Sequence, residues 1–448
     1  MQKVIVKWIL LLAFFSSTCR LLALERQPAS EYHARRVALA AKLGGGAALM
    51  FGAKEPGMEY ESWRQDEDFY YLTGWNEPGA VVLIEAASAP DPYREILFLP
   101  VRNPRFEKYK GEQLDPKNPE AARITGFEEV RPLTELIAEL VRILTPSSAT
   151  STSQRPNHLA IKPDDVNAKS SLELVGLAIN SQLPPPHDLA AMTAEQRRVK
   201  SAGELTLLKK AAEASVEAQK ALFKAIEPGV SERTIEGLID YKLKANGCER
   251  PAYPSIVGSG ANSTVLHYES GDRVMKAGDL VVIDAAGEYS MYASDITRTL
   301  PVNGHFTPRQ REIYNIVLGA QQAAIASFVS GKSYMGDRTE RKDPNSLNKI
   351  AFDYVNTHGK DLHNGSLGQY WIHGLGHSVG IDVHDPYDYS KPFGPGAVFT
   401  LEPGIYIPEE KIGVRIEDTF YVDSAGKLIS LTGTLPSTAD EVEAAMKR

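Results

Sequence analysis

Apolar runs of strand length alternate with longer amphipathic stretches along most of the chain. AALMFGA (47–53) and AVVLIEAA (80–87) read as buried strands, and LTELIAELVRIL (133–144) has helical spacing. A Ser/Thr-rich loop (TPSSATSTSQRPNH, 145–158) and a stiff LPPPHD (183–188) interrupt the pattern. The proline run marks the approach to a boundary, so a first α/β domain is expected over 28–190 and a second over 198–448.

The second domain opens with helix signals. Ser201 and Glu204 form a capping-box pattern ahead of LTLLKKAAEASVEAQKALFKAI, which EPG ends. The helix ERTIEGLIDYKLKAN should stop at Gly247, a residue that tolerates the left-handed turn after a helix. Strands LVVIDAAG and MYASDITRTLPV follow. The next helix should start at TPRQ, with Thr307 as cap and Pro308 in the first turn, and close at Gly331. SLNKIAFDYVNTH predicts a further helix, AVFTLEPGIYI and GVRIEDTFYV predict strands, and a short terminal helix should begin at Thr438. Two helix–helix–strand blocks in succession predict an α+β domain. An internal duplication is one reading of them, although no repeat is visible by letter.

The N-terminus changes the picture. Two lysines in MQKVIVKW, the short apolar core ILLLAFFSS and the small and polar residues of TCRLLALE follow the order of a secretory leader. The apolar core is too short to span a bilayer. The expectation is a signal peptide over 1–24, export to the periplasm or medium, and no membrane span after leader removal. Cys248 is then the one cysteine left, so no internal disulfide can form. A net charge of −8 without basic runs argues against a nucleic-acid surface and fits a small or neutral substrate.

The stretch HGLGHSVGIDVHD (373–385) holds three of the ten histidines. Its GHSVG matches a nucleophile-elbow pattern that would make Ser378 a hydrolase nucleophile. An elbow needs a helix after the serine and an acid and a histidine later in the chain. Here the sequence after Ser378 is not helical, His384 is the last histidine, and Asp382 lies too close to it to build a triad. The match is accidental. HGLGH is not a zinc-binding helix either, because two glycines break the spacing and no Glu follows the first His.

What remains is a set of acids in strand contexts. Asp284 and Asp295 flank a Gly-containing turn that could set both carboxylates side by side, Glu402 ends an apolar strand run, and Glu417 sits among β-branched residues. A lone buried carboxylate costs several kcal/mol. Gathered together with His377, four of them would repel unless cations neutralised them. Two divalent metals solve that, and mostly oxygen ligands suit manganese, cobalt, iron or zinc.

SIVGSGANSTVLHYES, VVIDAAGEYSMYASDITRTLPVNG, HGLGHSVGIDVHD, TLEPGIYI and GVRIEDTFYV resemble, in order, the blocks of the aminopeptidase P and prolidase family. RQDEDFYYLTGWNEPGAVVLIE resembles that family's N-terminal domain. The resemblance implies an α+β chain whose C-terminal pita-bread domain carries two metal ions, Mn²⁺ foremost, with Co²⁺, Zn²⁺ or Fe²⁺ as alternatives. It implies Asp284, Asp295, His377, Glu402 and Glu417 as ligands, with Asp295 and Glu417 bridging both metals. The departures are small residues in DAAGEY and an unusual HDPYDYSKPFGPG loop after His384, which bears on the substrate pocket.

The activity so implied is hydrolysis of the N-terminal Xaa-Pro bond of peptides by a hydroxide shared between the metals. Glu402 would move the proton from that water to the leaving nitrogen, and His267 and His384 would donate hydrogen bonds to the substrate carbonyl. His373 would line the prime side of the pocket, and Arg415 would orient the acids and His384. Partners are peptides with proline second, and a homodimer or homotetramer is expected. An Xaa-Pro dipeptidase shares every ligand, but it needs a cation for the proline carboxylate, and Lys391 is the one fixed positive charge in the blocks assigned to that side. A metal-free amidinohydrolase or peptide-binding relative would not need the intact ligand set.

Overall fold

In a computed structural model, residues 24–55, 62–88, 91–145, 159–339 and 343–447 are described, so the leader at 1–23 and most of the Ser/Thr loop, 146–158, lie outside the described residues. Among the described residues, no helix is long and apolar enough to cross a membrane. The chain forms two units, Arg26–Arg197 and one built on Arg198–Arg448.

In the first unit, helix α1 (Ala29–Leu43) precedes strand β1 (Ala47–Phe51), and β2 (Val81–Ser88), β3 (Asp91–Leu99) and β4 (Glu129–Pro132) follow. Helix α2 (Leu136–Leu144), β5 (Leu159–Ile161), α3 (Val166–Ala178) and β6 (His187–Asp188) complete a six-stranded mixed sheet of order β4-β3-β2-β1-β5-β6. Leu136, Leu140 and Ile143 recur at helical spacing and pack on Leu49, Leu83, Ile96 and Phe98 of the sheet. The apolar runs at 47–50 and 81–84 are buried, as strands covered by helices should be.

The second unit starts at the expected cap. Ser201 and Glu204 exchange hydrogen bonds at the head of α4 (Ala202–Ala225), and α5 (Glu232–Ala245) ends before Gly247 at φ 96°. Strands β7 (Arg250–Pro251), β8 (Ile256–Ser259), β9 (Leu280–Asp284), β10 (Gly287–Tyr289), β11 (Tyr292–Ala293) and β12 (Thr297–Pro301) come next. Thr307 and Gln310 cap α6 (Pro308–Ser327), and α7 (Leu347–His358) packs against it. After these come β13 (Val398–Leu401), β14 (Gly404–Ile407), β15 (Ile412–Arg415), β16 (Asp418–Val422), β17 (Leu428–Ser430) and α8 (Ala439–Met446), capped by Thr438.

One boundary differs from expectation. Helix α6 stops at Ser327, not at Gly331, because Phe328 turns extended (φ −66°, ψ 128°) and stacks near Phe399 with ring centroids 6.0 Å apart. Gly331 serves a later turn, at φ 75°, and donates its N–H to the Phe393 carbonyl at 2.7 Å.

The strands form short ladders: β12-β9-β8, β11-β10-β7, β13-β16-β17 and β14-β15. All belong to one core, with Leu280, Val281, Leu300, Phe399, Leu401, Ile405 and Val414 packed with residues of the helices.

Candidate metal centre

Each of the four acids sits where the chain leaves one ladder for the next. Asp284 ends β9, opposite Thr297 of β12, and Asp295 lies between β11 and β12. Glu402 separates β13 from β14, and Glu417 separates β15 from β16. An uninterrupted strand would send alternate side chains to opposite faces. Breaking the ladders at the acids lets all four carboxylates turn to one place, where His377 meets them from the loop before β13. That loop lies close: a Cβ on Gly376 would stand 2.2 Å from the Thr400 carbonyl oxygen.

Ligand atoms of Asp295, His377 and Glu417 all lie within 4.8 Å of one another, and all three residues are buried. His377 Nε2 is 3.3 Å from Asp295 Oδ2 and 3.3 Å from Glu402 Oε1. Its Nδ1 lies 3.1 Å from the Ser378 carbonyl oxygen. Donating there leaves Nε2 directed into the acid cluster. Thr297 Oγ1 donates to Glu417 Oε2 at 2.8 Å, Thr400 Oγ1 donates to Glu402 Oε1 at 3.2 Å, and Thr419 Oγ1 donates to the Asp295 carbonyl at 2.7 Å. Glu417 Oε1 is buried without a hydrogen-bond partner.

The electrostatics are those of an acid cluster awaiting cations. Burial, with repulsion from its neighbours, drives Glu417 well above the usual carboxylate range, and burial with Asp295 nearby raises Asp284 despite the Arg415 guanidinium. Burial lifts Glu402 to about 7. Burial alone would lower His377, but the Asp295 hydrogen bond and the charges of Glu402 and Asp295 outweigh it and lift the imidazole to about 9. Without a cation, that proton is the counter-charge. The Tyr253 hydroxyl lies 2.7 Å from Asp284 Oδ1 and 2.5 Å from Asp295 Oδ1. A divalent cation would replace the His377 proton, and an unpartnered Glu417 oxygen among hard oxygen donors and one imidazole fits such an ion.

The remaining residues singled out by sequence divide into two groups. Asp284, Asp295, Glu402, Glu417, His267, His373, His377 and His384 all line one cavity of about 600 Å³. The His384 ring lies over His377, with centroids 4.0 Å apart. Burial and the His377 charge lower His384, so at neutral pH it is an uncharged ring with one N–H to donate. His373 donates from Nδ1 to the Gly374 carbonyl at 2.7 Å, and burial, aided by Arg415, lowers it to about 3. Its Nε2 therefore accepts from the Tyr406 hydroxyl at 2.9 Å.

Arg415 belongs to the other group. Its side chain is only 2% exposed and is not among the residues that line the cavity. It donates to Asp284 Oδ2 at 2.7 Å and to the Tyr406 hydroxyl at 2.6 Å, not to His384. Lys391 also lies off the cavity wall. Among the described lining residues none is Lys or Arg, and the nearby Arg338 donates to the Trp371 carbonyl.

Ser378 is 1% exposed, and its hydroxyl lies 3.2 Å from the Val398 carbonyl and 3.3 Å from Lys200 Nζ. No imidazole nitrogen faces it. Ser378→Ala should leave kcat within about threefold of wild type, whereas loss of a nucleophile would cost roughly 10⁶-fold. Steady-state kinetics on the purified variant decides it.

Sequence reasoning missed Tyr253, Thr297, Thr400 and Tyr406. Each is 9 to 42 positions or more from some of its partners, as with Tyr253 and Asp295 at 42 and Arg415 and Tyr406 at 9. Only the polar residues inside otherwise apolar strand runs, Thr297 and Thr400, left a signal.

Comparison with known proteins places the chain. The metallopeptidase family M24 profile matches residues 206–424, and the aminopeptidase P N-terminal domain profile matches residues 32–151. The Xaa-Pro aminopeptidase of Escherichia coli is 34% identical over 441 residues, covering 93% of this chain and 97% of the relative. Human Xaa-Pro aminopeptidase 3 is 31% identical, with 85% of this chain and 76% of the relative covered. Among solved structures, proline aminopeptidase P II from Yersinia pestis superposes with a TM-score of 0.81 at 31% identity, covering 94% of this chain and 99% of that one. The low-pH form of E. coli aminopeptidase P gives 0.83 at 30% identity, with 94% and 99% covered. The α+β architecture is thus an aminopeptidase P N-terminal domain followed by a pita-bread catalytic domain. On the acid cluster, both profiles and a relative at 34% identity covered over 97% of its length, the chain belongs to the aminopeptidase P family of M24 metallopeptidases.

Proposed function

We propose that this protein is an exported aminopeptidase that uses two divalent cations to hydrolyse the N-terminal Xaa-Pro bond of peptides. The observation that carries the reading is the convergence of the buried Asp284, Asp295 and Glu417, the partly buried Glu402 and His377 on one cavity, with a Glu417 oxygen left unpartnered. Asp284, Asp295, His377, Glu402 and Glu417 would hold the cations, with Mn²⁺ foremost. When bound, the cations supply Lewis acidity, which lowers the pKa of a water and polarises the scissile carbonyl.

The chain's own groups do the rest. Glu402 reaches the cavity, and its carboxylate accepts a proton from water and passes it to the leaving prolyl nitrogen. His267 and His384 lie on the same wall and donate to the carbonyl oxygen as it gains charge. His373 is held neutral and turned by the Arg415–Tyr406 relay, so it shapes the pocket. Arg415 fixes Asp284, whose second oxygen contacts Tyr253. His384→Ala should lower kcat roughly 10²- to 10³-fold, as losing one oxyanion donor does, with bound metal unchanged. Kinetics paired with metal analysis reads both, and loss of metal would move His384 among the ligands.

The leader pattern MQKVIVKW–ILLLAFFSS supports export. A peptide continuing past proline fits the cavity better than a dipeptide. A dipeptidase must hold the proline carboxylate, and no described lining residue is a Lys or Arg. Ala-Pro-Ala should therefore exceed Ala-Pro in kcat/KM by roughly tenfold or more, about 1.4 kcal/mol of transition-state binding. A tenfold advantage for Ala-Pro would make the enzyme an Xaa-Pro dipeptidase.

A further inference from the structure

A buried ion pair lies behind the His377–His384 loop and takes no part in the chemistry above. Lys200 Nζ is 3.0 Å from Asp385 Oδ2, and both side chains are 1% exposed. Nζ also reaches Ser378 Oγ at 3.3 Å. The Lys200 backbone is anchored in turn, donating its N–H to the Gly396 carbonyl at 2.9 Å.

The loop is folded around this pair. The Asp385 N–H donates to the Ser378 carbonyl at 2.9 Å, the same oxygen that faces His377 Nδ1 at 3.1 Å. The Asp382 N–H approaches Asp385 Oδ1 at 3.3 Å. Gly380 packs against the carboxylate so tightly that a Cβ there would stand 2.6 Å from Asp385 Cγ. The two ends of the closed turn present His377 and His384, with ring centroids 4.0 Å apart and planes tilted by 54°.

A buried ion pair is a poor source of stability, because desolvation offsets most of its attraction. Apolar residues of the same size would serve the core as well. What they would not do is bind the start of α4 to the turn at two charged, directional points. We infer that Lys200 and Asp385 are positioning residues that hold His384 over His377 for its contact with substrate. The inference rests on the proposed role of His384 at the substrate carbonyl.

The test is the paired substitution Lys200→Met/Asp385→Asn, which removes both charges and strands neither. It should fold with an unchanged metal content and KM, yet lose kcat roughly 10- to 100-fold, the scale of a sub-ångström to ångström misplacement. In a His384→Ala background, the same pair should cost less than about twofold more, since it acts through that ring. Wild-type kcat in the pair variant, or losses that multiply with His384→Ala, would overturn the inference. If the paired variant does not fold, Lys200→Arg is read by the same cycle. A second readout does not depend on turnover. The His384 imidazole NMR resonance, assigned by its loss in His384→Ala, should shift in the pair variant while that of His305 stays put. An unmoved His384 resonance overturns the inference even if the enzyme cleaves Xaa-Pro peptides, and a wild-type protein inactive on such peptides would refute the functional reading while leaving this measurement valid.

Discussion

Glu402→Gln should lower kcat by roughly 10²-fold or more under saturating metal, because it removes the proton carrier and one ligand charge together. The substitution is nearly isosteric. Gln Oε1 can still accept from Thr400 Oγ1, now at 3.2 Å from Glu402 Oε1, so the loop around His377 keeps its support. The same change should have the opposite effect on stability once the metal is removed. Burial raises the Glu402 carboxyl to about 7 in the folded, cation-free protein, above its unfolded value near 4.5. The fold then binds more protons than the unfolded chain between those pH values, and stability is lost as pH rises through that window. Gln does not ionise, so metal-free Glu402→Gln should melt at a higher temperature than metal-free wild type at pH 8 and at a similar one at pH 4. A near-wild-type kcat would place the proton carrier elsewhere. A lower melting temperature at pH 8 would mean that Glu402 is not a strained buried acid.

Much of the fold was legible in the sequence, and the reason is local. The caps at Ser201, Thr307 and Thr438 act within one turn of the helices they start, and all three make their expected bonds. Apolar runs at 47–50, 280–284 and 398–401 lie in strands and are buried throughout. The end of α6 was not legible, since it depends on Phe328 finding Phe399 across the fold.

The acids were visible as charged residues inside or at the ends of apolar runs. Their convergence was not visible from periodicity, because it depends on where the ladders break and on the register of β9 with β12 and of β13 with β16. Only the resemblance to a family supplied it beforehand. Arg415 shows the limit on a single side chain. Its strand context was readable, but burial and the antiparallel pairing of β14 with β15 aim it at Asp284 and Tyr406. The Lys200–Asp385 pair joins positions 185 apart and left no signal at all.

The reading of the cluster as a cation site has a thermodynamic side as well as a catalytic one. Among the described residues Arg415 pairs with Asp284, and the neighbouring carboxylates lift His377 to about 9. Each cation that binds only the folded state should raise its stability by about 2.7 kcal/mol at a free concentration a hundred times its Kd. The stabilisation should grow with pH above 7, as the protons on Glu402 and His377 cease to compete. Melting curves with and without Mn²⁺ at pH 6 and pH 8.5 would show it, and equal shifts at both values would contradict the proton-for-cation exchange.

The central claim is that hydrolysis requires two cations held by Asp284, Asp295, His377, Glu402 and Glu417. The protein should be stripped with a chelator, verified metal-free, and titrated with Mn²⁺ or Co²⁺ while bound metal and cleavage of Ala-Pro-Ala are measured together. The stripped protein should show no activity, and recovery should reach its plateau at two cations bound per chain. Full activity in verified metal-free protein would contradict it.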